Sequence, residues 1–85
     1  MKKKPLLNLS KSEIKKYLYD LQNYVKNELD SGKNMDLFLD ETDIFDDFEK
    51  VLPDEEYPIF VITILNGFKS NDLINKLVND IYENK

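Results

Sequence analysis

Cysteine, histidine, arginine, alanine and tryptophan are all missing from this 85-residue chain. Without cysteine there is no disulfide, no thiolate zinc site and no thiolate nucleophile. That suits a reducing compartment, and the expected location is the cytoplasm. Without histidine the chain lacks the commonest general base and the commonest metal ligand. Without arginine it lacks the bidentate clamp that most often grips phosphate. Its two glycines, Gly32 and Gly67, stand far apart, so there is no glycine-rich loop to cradle a phosphate. Ser10, Ser12, Ser31 and Ser70 have no base to activate them. These absences argue against an enzyme, and no cofactor is expected. The oxygen-rich stretch from Asp36 to Asp47 lacks the D-x-D-x-D-G spacing and closing Glu of an EF-hand loop, so no metal is expected either.

No run approaches the roughly 18–20 apolar residues that a membrane helix needs. The basic opening Met1-Lys-Lys-Lys is not followed by the roughly 7–15-residue apolar stretch of a signal peptide. What is present is a globular composition, 41% hydrophobic and 34% charged, in a length that suits one domain spanning residues 1–85. A chain this short buries about 60–65% of its unfolded surface, so its core is small. Residues 1–8 read as a flexible basic tail. The wealth of Lys, Asn, Asp, Ile and Tyr reads as the coding bias of an AT-rich genome, such as that of a low-GC bacterium or its phage.

Charge is distributed unevenly. Ten of the seventeen carboxylates fall between residues 34 and 66, against the single Lys50, which gives that stretch a net charge of −9. They are Asp36, Asp40, Glu41, Asp43, Asp46, Asp47, Glu49, Asp54, Glu55 and Glu56. The first 33 residues carry +4 and the last 19 are neutral, for a total of −5. A segregated negative block focuses potential and attracts a basic partner. It also repels phosphates, so direct nucleic-acid binding is not expected despite Lys2, Lys3, Lys4, Lys11, Lys15 and Lys16 at the other end. The bland alternative is solvated helix surface. Aromatics interleaved with the acids (Phe38, Phe45, Phe48 and Tyr57) favour a binding surface.

The hydrophobic pattern predicts helices. Ser10 and Glu13 form a capping box, with Leu9 and Ile14 placed as a hydrophobic staple. Ile14, Leu18, Leu21, Val25 and Leu29 then make one stripe, and Gly32 stops it, predicting a helix over about 11–30. Residues 33–41 fit a strand or a helix. Ile44, Phe45, Phe48, Val51 and Leu52 predict a helix over about 42–52, capped by Thr42 or Asp43 and closed by Pro53. Ser70 caps a last helix striped by Leu73, Ile74, Leu77, Val78, Ile81 and Tyr82. The run 58–65 is apolar all round. Its β-branched content favours a strand. Pro53-Asp-Glu-Glu before it and Asn66-Gly67 after it favour a helix, and a lone two-stranded sheet is marginal. The expected fold is therefore all-α, a bundle of three to four helices, with α/β and a short strand at 59–65 as the alternative.

Three blocks resemble barstar-like ribonuclease inhibitors, in the family's order. They are Asp20-Leu-Gln-Asn-Tyr-Val-Lys-Asn-Glu-Leu29, Gly32-Lys-Asn-Met-Asp-Leu-Phe-Leu-Asp40 and Glu56-Tyr-Pro-Ile-Phe-Val61. The resemblance covers about a third of the chain. It implies a strand over 59–65 and a nuclease as partner. It also implies that Asp40 enters the basic active site, with Asp36 as a second carboxylate and Asn34 and Gly32 in the approach. The chain departs from the family at Asp30 and Ser31, where tyrosines are usual, and at Leu39, where the family has Trp. In size and charge the chain is also similar to helical immunity proteins that neutralise nuclease toxins. The expected function is inhibition: an acidic face imitates nucleic acid and blocks a basic nuclease or other nucleic-acid-binding protein. The alternative is a structural or regulatory interaction module that associates through apolar surface, a homodimer being one form of it, and the hydrophobic run 59–65 motivates it.

Overall fold

Ser10 opens the first helix as its capping box requires. Its Oγ accepts the Glu13 N–H at 3.3 Å, and its own N–H donates to Glu13 Oε1 at 3.1 Å. The computed structural model describes residues 5–41, 43–68 and 70–85, with Leu39 and Glu41 described as backbone only. It is all-helical: a 3₁₀ turn over Leu6–Asn8 precedes α1 (Lys11–Asp30), α2 (Met35–Glu41), α3 (Asp46–Val51), α4 (Tyr57–Asn66) and α5 (Asn71–Asn84). The strand considered for 59–65 is helix.

α1 buries Ile14, Tyr17, Leu18, Leu21 and Val25, the stripe its spacing predicts. It ends in a Schellman motif. Gly32 N–H donates to the Leu29 carbonyl and Lys33 N–H to the Glu28 carbonyl, while Gly32 takes φ +96°. α2 settles the ambiguity over 33–41. Asn34 Oδ1 accepts the N–H groups of Asp36 (2.9 Å) and Leu37 (3.3 Å), and capping of this kind starts a helix rather than a strand.

α3 is shorter than the predicted 42–52. Ile44 and Phe45 reach the core from a turn closed by Asp46 N–H on the Asp43 carbonyl, so regular helix begins only at Asp46, with no side-chain cap. Thr42, one of the two caps considered, lies outside the described residues, and Asp43 contributes its backbone carbonyl to this turn. α4 keeps Pro58 in its first turn, where the missing N–H costs nothing. Gly67 ends it at φ +95°, and a Cβ there would stand 3.3 Å from Gln22 Nε2. Ser70 Oγ caps α5 by accepting the Leu73 N–H at 3.2 Å.

α1 is the central helix and packs against α4 and α5, while α5 also packs on α3 and the 3₁₀ turn. Of the expected basic tail, residues 1–4 lie outside the described residues. Leu6, by contrast, is a core residue, 5% exposed, and Lys85 Nζ donates to the Leu7 and Leu9 carbonyls across the chain ends. The centre is aromatic. Phe48 stacks on Phe60 at 4.7 Å, with Phe45, Tyr57 and Tyr17 around them.

Two substitutions separate the sources of stability. Phe60→Ala, which empties the middle of that cluster, is expected to cost about 3–5 kcal/mol, a large share of the ~4–13 kcal/mol available to a domain of this size. Gly32→Ala meets no neighbour within 4 Å, so only the positive φ opposes it, at roughly 1–2 kcal/mol. Urea unfolding followed by circular dichroism measures both.

Candidate functional site

The acidic residues divide into groups once folded. Asp46 and Glu49 project from α3 because Phe48 between them points inward. Asp54 follows on the turn after Pro53. These three, with Lys50, line a shallow groove of about 480 Å³. Asp46, Glu49 and Asp54 are exposed. Tyr57 lies beside this group, half-buried. Burial raises its phenol pKa, and the Glu49 and Asp46 carboxylates push it the same way.

Asp36 and Asp40 are exposed on α2, Asp43 is exposed in the connection to α3, and Glu55 is exposed on the turn before α4. The Glu41 side chain lies outside the described residues. Asp47 is half-buried and lines a different groove of about 250 Å³, with Pro5, Leu6, Leu7, Lys50, Val51 and Lys85. Among the described residues, no ion pair joins Asp36, Asp40, Asp46, Glu49, Asp54 or Glu55 to a lysine. No group of three or more carboxylates among the described residues is arranged to hold a metal ion.

Glu56 departs from the others. It turns towards α5, where its Oε1 accepts a hydrogen bond from Lys76 Nζ; Lys76 Nζ also lies 3.6 Å from Asp80 Oδ2. Glu56 Oε2 and Asp80 Oδ2 are both buried, and neither accepts a hydrogen bond. The contact with Asp80, then Lys76, holds the Glu56 carboxyl below the usual range. The same contact, then burial, raises Asp80. Lys76 is raised by its bond to Glu56.

Of the four interleaved aromatics, Tyr57 stays half-buried beside the groove, and the three phenylalanines offer no binding surface. Phe38, Phe45 and Phe48 are 1%, 5% and 0% exposed and belong to the core, so they alternate with the acids because helix faces alternate. The exposed apolar residues lie elsewhere. Ile59 and Ile62 on α4 are 49% and 57% exposed, and Met35 and Leu37 on α2 are also open. A run apolar on every side gives no sign of which positions face out. Comparison with family models, curated proteins and solved structures returns no match.

The Glu56–Asp80 contact has a definite sign with pH. Glu56, lowered on folding, contributes stability above the usual glutamate range and loses it as pH falls through the lowered value. Asp80, raised on folding, opposes the fold when ionised, and that penalty disappears as pH falls through its raised value. Asp80→Asn supplies an N–H donor to Glu56 Oε2 without a second charge. It is expected to raise Tm near pH 7 by about 2–4 °C, equivalent to roughly 0.5 kcal/mol. The gain should shrink towards about pH 3, where the native Asp80 already carries its proton. A thermal melt at each pH measures it, and an unchanged gap would mean that the Asp80 charge does not oppose the fold.

Proposed function

We propose that this protein is a small inhibitory protein that binds a basic nucleic-acid-handling protein through its carboxylate surface. An immunity protein for a nuclease, an antitoxin and a phage anti-defence protein are all forms of this reading, and all act in the cytoplasm. The observation that carries it is the groove in which Asp46, Glu49 and Asp54 converge with only Lys50 among them. Carboxylates held outward on short helices can imitate a phosphate track and occupy a site built for nucleic acid. A field of one sign also speeds encounter with a basic partner.

The chemistry that binding needs is present: exposed charge of one sign on a core that does not depend on it. Asp36 and Asp40, exposed on α2, are the two carboxylates that the resemblance to barstar-like inhibitors would assign to the partner's basic site. Glu56 is left out of the contact set, because Lys76 and Asp80 already engage it. A second reading, an interaction module joined through apolar surface as a homodimer, is favoured by the exposure of Ile59 and Ile62.

Asp46→Lys/Glu49→Lys/Asp54→Lys reverses the groove at three exposed positions and should leave the helical content unchanged. Used as bait in a lysate of the source organism, or of its host, the native protein is expected to capture a basic nuclease or other nucleic-acid-binding protein at low salt. It should release that protein near 1 M salt, where the screening length falls to about 3 Å. The reversed variant should capture none of it. Capture that is indifferent to both salt and charge reversal would overturn the reading.

A further inference from the structure

Glu55, Ile59, Ile62 and Asn66 follow one another at helical spacing along the outside of α4. Glu55 belongs to this line because the turn before α4 is continuous with it: the N–H groups of Glu56 (2.9 Å) and Tyr57 (3.0 Å) both donate to the Pro53 carbonyl. All four residues are exposed, while Phe60 and Ile64 on the opposite face are fully buried. A bundle helix ordinarily turns charged residues outward. α4 has none to turn, since the twelve residues Tyr57–Phe68 carry no formal charge.

At the C-terminal end of this stripe, Ile62, Thr63, Asn66, Gly67 and Leu73 line a hollow of about 140 Å³ across the α4–α5 junction. That is close to the ~150 Å³ cavity known to admit a benzene ring, so it has room for one aliphatic side chain. Acids stand at both ends: Asp54 and Glu55 before α4, and Asp72 beside Leu73, all exposed. Lys76, by contrast, is held by Glu56 and Asp80. An apolar centre with a charged rim is the ordinary anatomy of a protein–protein contact.

We propose that the outer face of α4 is the apolar centre of the binding surface and receives an amphipathic basic segment of a protein partner. One aliphatic side chain of that segment fills the hollow between Ile62 and Leu73. Its lysines or arginines reach Asp54 and Glu55 at one end and Asp72 at the other. The proposal rests on the basic-partner reading above and adds the residues that make the contact more than electrostatic. Charge complementarity selects the occupant. An uncharged segment leaves the flanking acids unused, and a second copy of this chain, with the same acids, is repelled by them.

Two helical peptides of equal positive charge test this, one with leucines on its apolar face and one with glutamines in their place. Each is titrated into the isotopically labelled protein and followed by amide chemical shifts. The leucine peptide is expected to bind about tenfold more tightly, moving the signals of Ile59, Ile62, Asn66 and Leu73. Ile59→Gln/Ile62→Gln, at exposed positions, should abolish that preference but keep the weaker, charge-driven binding. Asn66→Leu, which extends the stripe, should strengthen the preference. Equal affinities, or shifts confined to the groove of Asp46, Glu49 and Asp54, overturn the proposal and leave the basic-partner reading standing. Failure to bind either peptide removes both. A dimer in sedimentation that Ile59→Gln/Ile62→Gln dissolves makes a second copy the occupant and also overturns the proposal.

Discussion

The stack of Phe48 on Phe60 is the contact on which the acidic surface depends. α3 is six residues long, has no side-chain cap and cannot hold its shape alone, since isolated helices shorter than about 12–15 residues are marginal in water. Phe48 is fully buried, lies 4.7 Å from Phe60 on α4 and 5.7 Å from Tyr17 on α1, and so ties the short helix to two longer ones. With that ring inward, Asp46 and Glu49 on either side of it must face out. Apolar packing therefore decides where these charges stand. The charges themselves contribute little to the packing, which leaves them free to be altered or engaged without unfolding the domain.

The two long helices were legible because each carries several agreeing signals. α1 has a capping box, an uninterrupted stripe and a terminal glycine, and α5 has Ser70 and its own stripe. The shorter elements were harder for identifiable reasons. Over residues 33–41 both periods fit so few positions that only the cap at Asn34 distinguishes helix from strand. Over 42–52 the apolar spacing is correct, but a turn can also bring Ile44 and Phe45 inward, so the start of regular helix is invisible to periodicity. The helical state of 57–66 could be favoured from Pro53, Pro58 and Gly67. Its outward face could not, because a segment without polar residues has no contrast to read. The acids were legible as a group. The separation of Glu56 from them depends on Lys76 and Asp80, twenty and more residues away, and nothing local announces it.

Segregated charge has an energetic consequence that interspersed charge avoids. Asp46, Glu49 and Asp54 share one groove, and at physiological ionic strength the screening length is about 8 Å, so neighbouring carboxylates still feel one another. Their mutual repulsion lowers the stability of a domain that has little to spare. Lys50 offsets only part of it. Glu56 and Asp80 show how the fold handles two acids that it does bring together: Lys76 is placed against both, and its charge offsets part of the cost of holding them side by side. Among the described residues, no ion pair serves Asp46, Glu49 or Asp54 in this way. A basic partner would supply what the fold withholds, gaining the attraction and relieving the repulsion at once.

In the proposed complex the acids and the isoleucines would perform different tasks. A field of one sign acts over distance and raises the rate at which partners meet, and it fades with salt. Exposed Ile59 and Ile62 would act only on contact and would set how long such a complex lasts. Acids alone give fast but indiscriminate association with anything basic, including proteins whose surfaces match nothing else here. An apolar stripe alone gives self-association or aggregation. Glu55 stands one turn before Ile59 and Asp72 is the neighbour of Leu73 in sequence, both exposed, so a charge-steered encounter would arrive close to where the apolar contact could form. In the proposed complex, selectivity would come from requiring both, because a partner that carries the charge without the aliphatic side chain would leave the hollow at Leu73 unfilled, and one with the side chain alone would not be steered to it.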